Sequence, residues 1–99
     1  MTKFLGLWKE DTSKIPVSPE EQISLATNLL NMVKEDFKNG GDWGEFAGGG
    51  AGYCVSEGTE QEVALALMKY SPYVKFKVYP VLSVDQELEN LKKLSQAMP

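Results

Sequence analysis

The chain contains no histidine, no arginine and a single cysteine, Cys54. Without arginine there is no planar guanidinium fork to grip a phosphate or a carboxylate with two parallel bonds. All ten basic residues are lysines, and the net charge is −4. Such a surface repels a nucleic-acid backbone, so no nucleic-acid partner is expected. One cysteine cannot cross-link the chain to itself, so the fold must rest on packing, and the expected compartment is the cytoplasm. Long apolar runs are also missing. None approaches the roughly 20 residues that span a bilayer, and the opening MTKFLGLWKED reaches acidic charge too soon for a secretory signal, so no membrane partner is expected.

What is present is an ordinary globular composition, 42% hydrophobic and 24% charged, which excludes a disordered chain. Residues 1–99 read as one domain with no internal linker or repeat, near the size where folding buries only about 60–65% of the unfolded surface. From Tyr73 to Ser83, Val74, Phe76 and Val78 alternate with Lys75, Lys77 and Tyr79, the period of a strand with one oily face. Pro80 has no N–H for a ladder and marks a sheet edge or the strand's exit. Lys3 to Glu10 carries Phe4, Leu5, Leu7 and Trp8 on both alternating faces, the pattern of a strand covered on both sides.

Three helices are predicted between and after the strands. Ser18-Pro19-Glu20-Glu21 supplies a cap, a first-turn proline and a glutamate three residues on, followed by an apolar stripe of Ile23, Ala26, Leu29, Leu30, Val33 and Phe37. Asn39-Gly40-Gly41 ends that helix. Asp42 to Ala47 and Ala51 to Glu57 form a hairpin around Gly48-Gly49-Gly50. Thr59 to Glu62 is a capping box opening a shorter helix stopped by Ser71-Pro72. Ser83 with Gln86 caps the last helix, whose Val84, Leu88, Leu91, Leu94 or Ser95, and Met98 keep the helical step.

The predicted order is β-α-β-β-α-β-α: an α+β, ferredoxin-like arrangement with a four-stranded antiparallel sheet, two helices on one face and a C-terminal helix. The strands nevertheless carry large apolar side chains of both parities: Trp43 against Phe46, and Tyr53 and Val55 against Cys54. A sheet with two oily faces and helices on one must hide the other, most economically against a second copy. The expected partner is therefore the chain itself, as a sheet-to-sheet homodimer.

With this topology, and with Phe76, Val78, Pro80, Val81, Leu82 and Ser83 matching a tail of the type F-x-V-x-P-V-L-[ST], the chain resembles the dimeric α+β barrel superfamily, and within it a small family of uncharacterised domains. The resemblance implies the fold and the dimer. Superfamily relatives include cofactor-independent monooxygenases, muconolactone isomerases, haem-degrading monooxygenases and chlorite dismutases, so the fold alone fixes no activity. Haem ligation by an axial histidine has no residue here, nor has an acylphosphatase-type arginine cradle, a metal-chaperone cysteine pair or the aromatic RNA-binding signature. No metal site and no cofactor are expected.

FAGGGAG lacks the Lys-Ser/Thr pair of a phosphate loop and reads as a flexible turn. Trp8, Trp43, Phe46, Tyr53 and Tyr79 either line a cavity between sheet and partner or simply form core and interface. Glu45 shares the strand parity of Trp43. Desolvated, it would act as a base; solvated, it is an edge-strand glutamate. Lys77 and Tyr79 lie opposite the oily face of the last strand, as solvated groups or as a donor pair for an anion. Cys54 reads as a small buried hydrophobe that would also border a ligand space. Two functions stay open beside a third, a protein–protein adaptor that uses the acidic helix surfaces. One is a small-molecule-binding or scaffold module for an apolar or aromatic ligand, with Trp8, Trp43, Phe46, Cys54 and Lys77 as its contacts. The other is a cofactor-independent isomerase or monooxygenase on an aromatic or polyketide-like substrate, with Glu45 as base and Tyr53 or Tyr79 as donor to an enolate.

Overall fold

The structure, a computed structural model, describes residues 2–98; Met1 and Pro99, the ends of the expected 1–99 domain, lie outside the described residues. Strand β1 (Thr2–Glu10) is followed by a 3₁₀ turn at Thr12–Lys14, helix α1 (Pro19–Asp36), β2 (Asp42–Glu45), β3 (Ala51–Gly58), α2 (Glu60–Met68), β4 (Val74–Val81) and α3 (Val84–Ala97). The strands form one antiparallel sheet in the order β2-β3-β1-β4. The fold is thus α+β, a four-stranded antiparallel sheet with three helices, compatible with a ferredoxin-like arrangement. β1 sits inside the sheet, as its two-sided apolar pattern requires. β4 is an edge, which is where Pro80 costs no ladder bond.

Local chemistry fixes the element ends. Thr59 and Glu62 exchange side-chain-to-backbone bonds of 3.1 Å at the start of α2, and Ser83 and Gln86 do the same at α3, at 3.1 and 2.8 Å. At α1 the serine cap is longer: the Glu21 N–H reaches Ser18 Oγ at 3.5 Å, while Gln22 Nε2 donates back to the Pro16 carbonyl at 2.7 Å. Gly41, at φ +79°, turns the chain from α1 into β2 in a conformation that disfavours any side chain. The β2–β3 hairpin closes with the Phe46 N–H on the Ala51 carbonyl at 2.9 Å, so β2 ends at Glu45 and Phe46 already belongs to the turn.

One face of the sheet carries the core. Phe4 and Cys54 pack with Val63 and Leu67 of α2, while Trp8 packs with Tyr70 and Val74; Trp43 and Phe76 touch both groups and join them. Phe37, Leu29, Met32 and Val33 bring α1 onto this core. Ile23 and Leu30, expected on the buried stripe of α1, are instead 68% and 57% exposed, because the helix turns its Leu29–Met32–Val33 side inward. The opposite face has no helix over it. Its centre is largely apolar, with Leu5 and Leu7 of β1 flanked by Tyr53 and Val55 of β3 and by Tyr79 and Lys77 of β4, and its ends carry Lys3 beside Glu57, and Lys9 beside Lys75. The expected oily second face is therefore apolar at its centre and charged toward its ends.

Helix α3 covers neither face. It buries none of its residues and extends the molecule to 66 × 25 × 22 Å, with a radius of gyration of 17.4 Å against roughly 13 Å for a compact chain of this length.

Candidate functional site

The site begins with a missing side chain. Gly52 of β3 stands opposite Trp8 of β1 in the antiparallel register. A β-carbon at Gly52 would meet the Trp8 ring at 2.5 Å, so the indole can lie flat across the neighbouring strand only because that position is glycine. The indole N–H is then held by two main-chain carbonyls, Gly44 and Tyr53, each at 3.2 Å. These bonds satisfy the one polar atom of a residue that is only 6% exposed.

Trp43 of β2 stacks on this anchored ring, with centroids 5.2 Å apart and planes inclined by 18°. Its other neighbours are Tyr70, stacked at 5.3 Å, and the ring edges of Phe37 and Phe76 at 5.8 and 5.9 Å. Tyr70 is fixed in turn by its hydroxyl, which donates to Asp36 Oδ2 at 2.8 Å, while Lys69 Nζ lies 3.0 Å from the other oxygen of the same carboxylate. Burial and the adjoining Asp36 push the Tyr70 phenol far above its ordinary value, so it serves as a neutral donor.

Between this aromatic floor and α1 lies a cleft of about 270 Å³, walled by Ala26, Leu29, Leu30 and Val33, with Glu10 and Glu45 among its lining residues. Both glutamates are carried near the glycine turn: Glu45 Oε1 accepts the Gly50 N–H at 3.3 Å, and the Glu10 N–H donates to the Gly50 carbonyl at 2.9 Å. Among the described residues neither carboxylate has an ion-pair partner. The chamber is therefore an aromatic and aliphatic slot with two uncompensated acids at its edge. It fits a flat apolar body, and its electrostatics favour a neutral or positively charged molecule over an anion.

Of the residues singled out from sequence, this cleft brings together Trp8, Trp43 and Glu45. The two tryptophans lie on the helix-covered side as part of the core, the second of the two positions expected for them, and not in a cavity between the sheet and a partner. The reason is parity: Trp8 and Trp43 share the face of Phe4 and Cys54, and α1 and α2 cover that face. Tyr53, Tyr79 and Lys77 project from the other face, where Tyr53 and Lys77 flank Leu7 and Tyr79 flanks Leu5. Glu45 and the two tyrosines therefore have the sheet between them. Phe46 and Lys77 border a broad open trough of about 760 Å³ at the Lys9–Lys75 end of that face. The Tyr53 hydroxyl donates to Asp42 Oδ2 at 2.9 Å, and that bond, with the negative charge behind it, raises the phenol above its ordinary value.

Cys54 borders neither the cleft nor the trough. It is 1% exposed, and burial raises its thiol from 9.0 to about 11, so it is packed as a hydrophobe without access to a ligand. Sequence reading overlooked Glu10, although it has the parity of Trp8 two residues earlier. It also overlooked a second groove of about 460 Å³ between the end of α1 and α2, lined by Asp36, Asn39, Glu57 and Glu62 among others. That groove is larger but has a polar, acidic rim and no stacked floor. Among the described residues no group of three or more His, Cys, Asp or Glu side chains is arranged to hold a metal ion, and no helix is long and apolar enough to cross a membrane.

Comparison with family models, with curated proteins and with solved structures finds no match for the chain.

Proposed function

We propose that this chain is a small-molecule-binding module of the dimeric α+β barrel type, a cytoplasmic homodimer joined through the uncovered sheet face, which takes a small apolar or aromatic molecule into the cleft under α1. The observation that carries the reading is the Trp8–Trp43 stack: an indole clamped by two carbonyls supports a second indole that floors an apolar slot. Aromatic surface of this kind binds flat molecules without any catalytic group. The apolar centre of the open face, ringed by lysines at its ends, has the layout of an interface core with a polar rim.

The alternative, a cofactor-independent isomerase or monooxygenase, requires Glu45 and Tyr53 or Tyr79 around one substrate. Their placement on opposite sides of the sheet counts against it. Glu45 alone leaves a base without a donor for the developing enolate.

The binding reading is tested by following the indole N–H resonances of Trp8 and Trp43 during titration with phenethylamine, benzyl alcohol and phenylacetate. Saturable shifts are expected for the first two, with phenylacetate the weakest, and Ala26→Phe, which fills the cleft from its rim, should abolish them. No saturable shift with any of the three probes would overturn the reading. The dimer is tested by light scattering on a concentration series. Twice the chain mass is expected, with dissociation shifted to higher concentration by Leu7→Lys; a monomer mass throughout would remove the sheet-face interface.

A further inference from the structure

Helix α3 is the part of the chain whose sequence and surroundings disagree most. Val84 is 71% exposed, Leu88 58%, Leu91 61% and Met98 64%, although both ends of the helix are well formed and Lys93 pairs with Glu89 at 3.4 Å. Positions 84, 88, 91, 95 and 98 alternate steps of four and three, the 3.5-residue period of a coiled-coil seam, interrupted only by Ser95. A helix of 14 residues is marginal by itself in water. Its charges are also sorted: Asp85, Glu87 and Glu89 in the first half, Lys92 and Lys93 in the second.

We propose that α3 is a pairing element that lies antiparallel against α3 of a second copy of this chain. In that arrangement Leu88 of one copy faces Leu91 of the other, and Asp85 of one lies beside Lys92 of the other, twice by the two-fold symmetry. A parallel pair would set the two acidic halves side by side and align the helix dipoles, both of which are unfavourable. The proposal rests on the two-copy reading above, because two heptads make a weak seam between free molecules and a strong one between chains already held together. No residue of α3 is buried within its own chain, which leaves the seam free for this contact.

The test is sedimentation equilibrium on the full chain, with near-ultraviolet circular dichroism of the tryptophan stack as a check that the body is folded. Leu88→Gln with Leu91→Gln should raise the dimer dissociation constant at least about tenfold. Lys92→Asp should weaken the dimer, and adding Asp85→Lys should restore it. An unchanged dissociation constant in the double glutamine variant would overturn α3 pairing while leaving the sheet-face dimer intact. Restoration of the Lys92→Asp variant by Glu87→Lys, with none by Asp85→Lys, would overturn the antiparallel arrangement. A wild-type chain that is monomeric at every concentration would overturn both this proposal and the sheet-face reading.

Discussion

The two faces of this sheet are built from the same strands, residue by residue in alternation, yet they have reached different states. On the covered side Phe4 is 4% and Trp8 6% exposed; on the uncovered side, Leu7 is 40% and Tyr79 47% exposed. The difference is not one of side-chain chemistry, since leucine and tyrosine bury as readily as phenylalanine and tryptophan. It comes from the connections. The crossovers carrying α1 and α2 both return over the Phe4–Trp8 face, and that leaves Leu5, Leu7, Tyr53 and Tyr79 to water or to another chain. Within the chain, stability therefore belongs to one face, and the other is the face proposed for association.

The largest effect that would break this contrast is on the covered face. Trp8→Ala removes a buried ring, its two carbonyl bonds and the support of Trp43 at once, and should cost about 3–5 kcal/mol. Leu7→Ala, one residue away on the other face, should cost less than about 1 kcal/mol in the isolated subunit. Urea unfolding at low protein concentration measures both. Equal costs would mean that the open face is packed within the subunit after all. The glycine at position 52 belongs to the same argument, because the flat seat of Trp8 exists only where the opposing residue has no side chain.

How much of this was legible in the sequence follows from what each signal depends on. The order of the strands and helices was readable because periodicity and capping are local: Thr59 with Glu62 and Ser83 with Gln86 form the boxes that their spacing announces. The strand parities of Trp43 with Glu45, and of Lys77 with Tyr79, were readable for the same reason. Which parity receives the helices was not, because it depends on the handedness and rotation of whole elements. That is why strand patterns alone group Glu45 and the two tyrosines as one site although the sheet divides them. The cleft wall was out of reach too, since Leu29 and Val33 reach the Trp8–Tyr70–Val74 group only through the roll of α1, the same roll that leaves Ile23 and Leu30 exposed.

A smaller effect sharpens the contrast from the covered side. Cys54 is held by burial at about 11 against an ordinary value of 9.0. In the unfolded chain the thiol loses its proton near the lower value while the folded chain keeps it. The folded state thus binds more protons between these limits, and stability must fall as pH rises through that window, by about 3 kcal/mol. Cys54→Ala should flatten this part of the pH–stability curve. The same burial should keep the thiol unreactive toward a maleimide until the chain unfolds; rapid labelling of the native protein would show that the covered core opens far more readily than its packing implies.

The smallest effect lies on the uncovered face and tests whether its polar groups are organised without burial. The Tyr53 phenol is raised because its hydroxyl donates to Asp42 and because that carboxylate is negative; burial contributes least of the three causes. Asp42→Asn keeps an acceptor in place and removes the charge, so the Tyr53 resonance should titrate at lower pH than in the wild type while the fold is unchanged. The shift in midpoint, followed by the ζ-carbon resonance of Tyr53, measures the charge rather than the hydrogen bond. If the midpoint does not move, the hydrogen bond alone holds the phenol, and Asp42 acts on the open face as a geometric partner and not as a charge. If it falls, the edge of this face carries a fixed negative site beside Tyr53 that a second copy docking there would have to meet with a positive one. Lys3, Lys9, Lys75 and Lys77, all on the same face, are the groups able to do so.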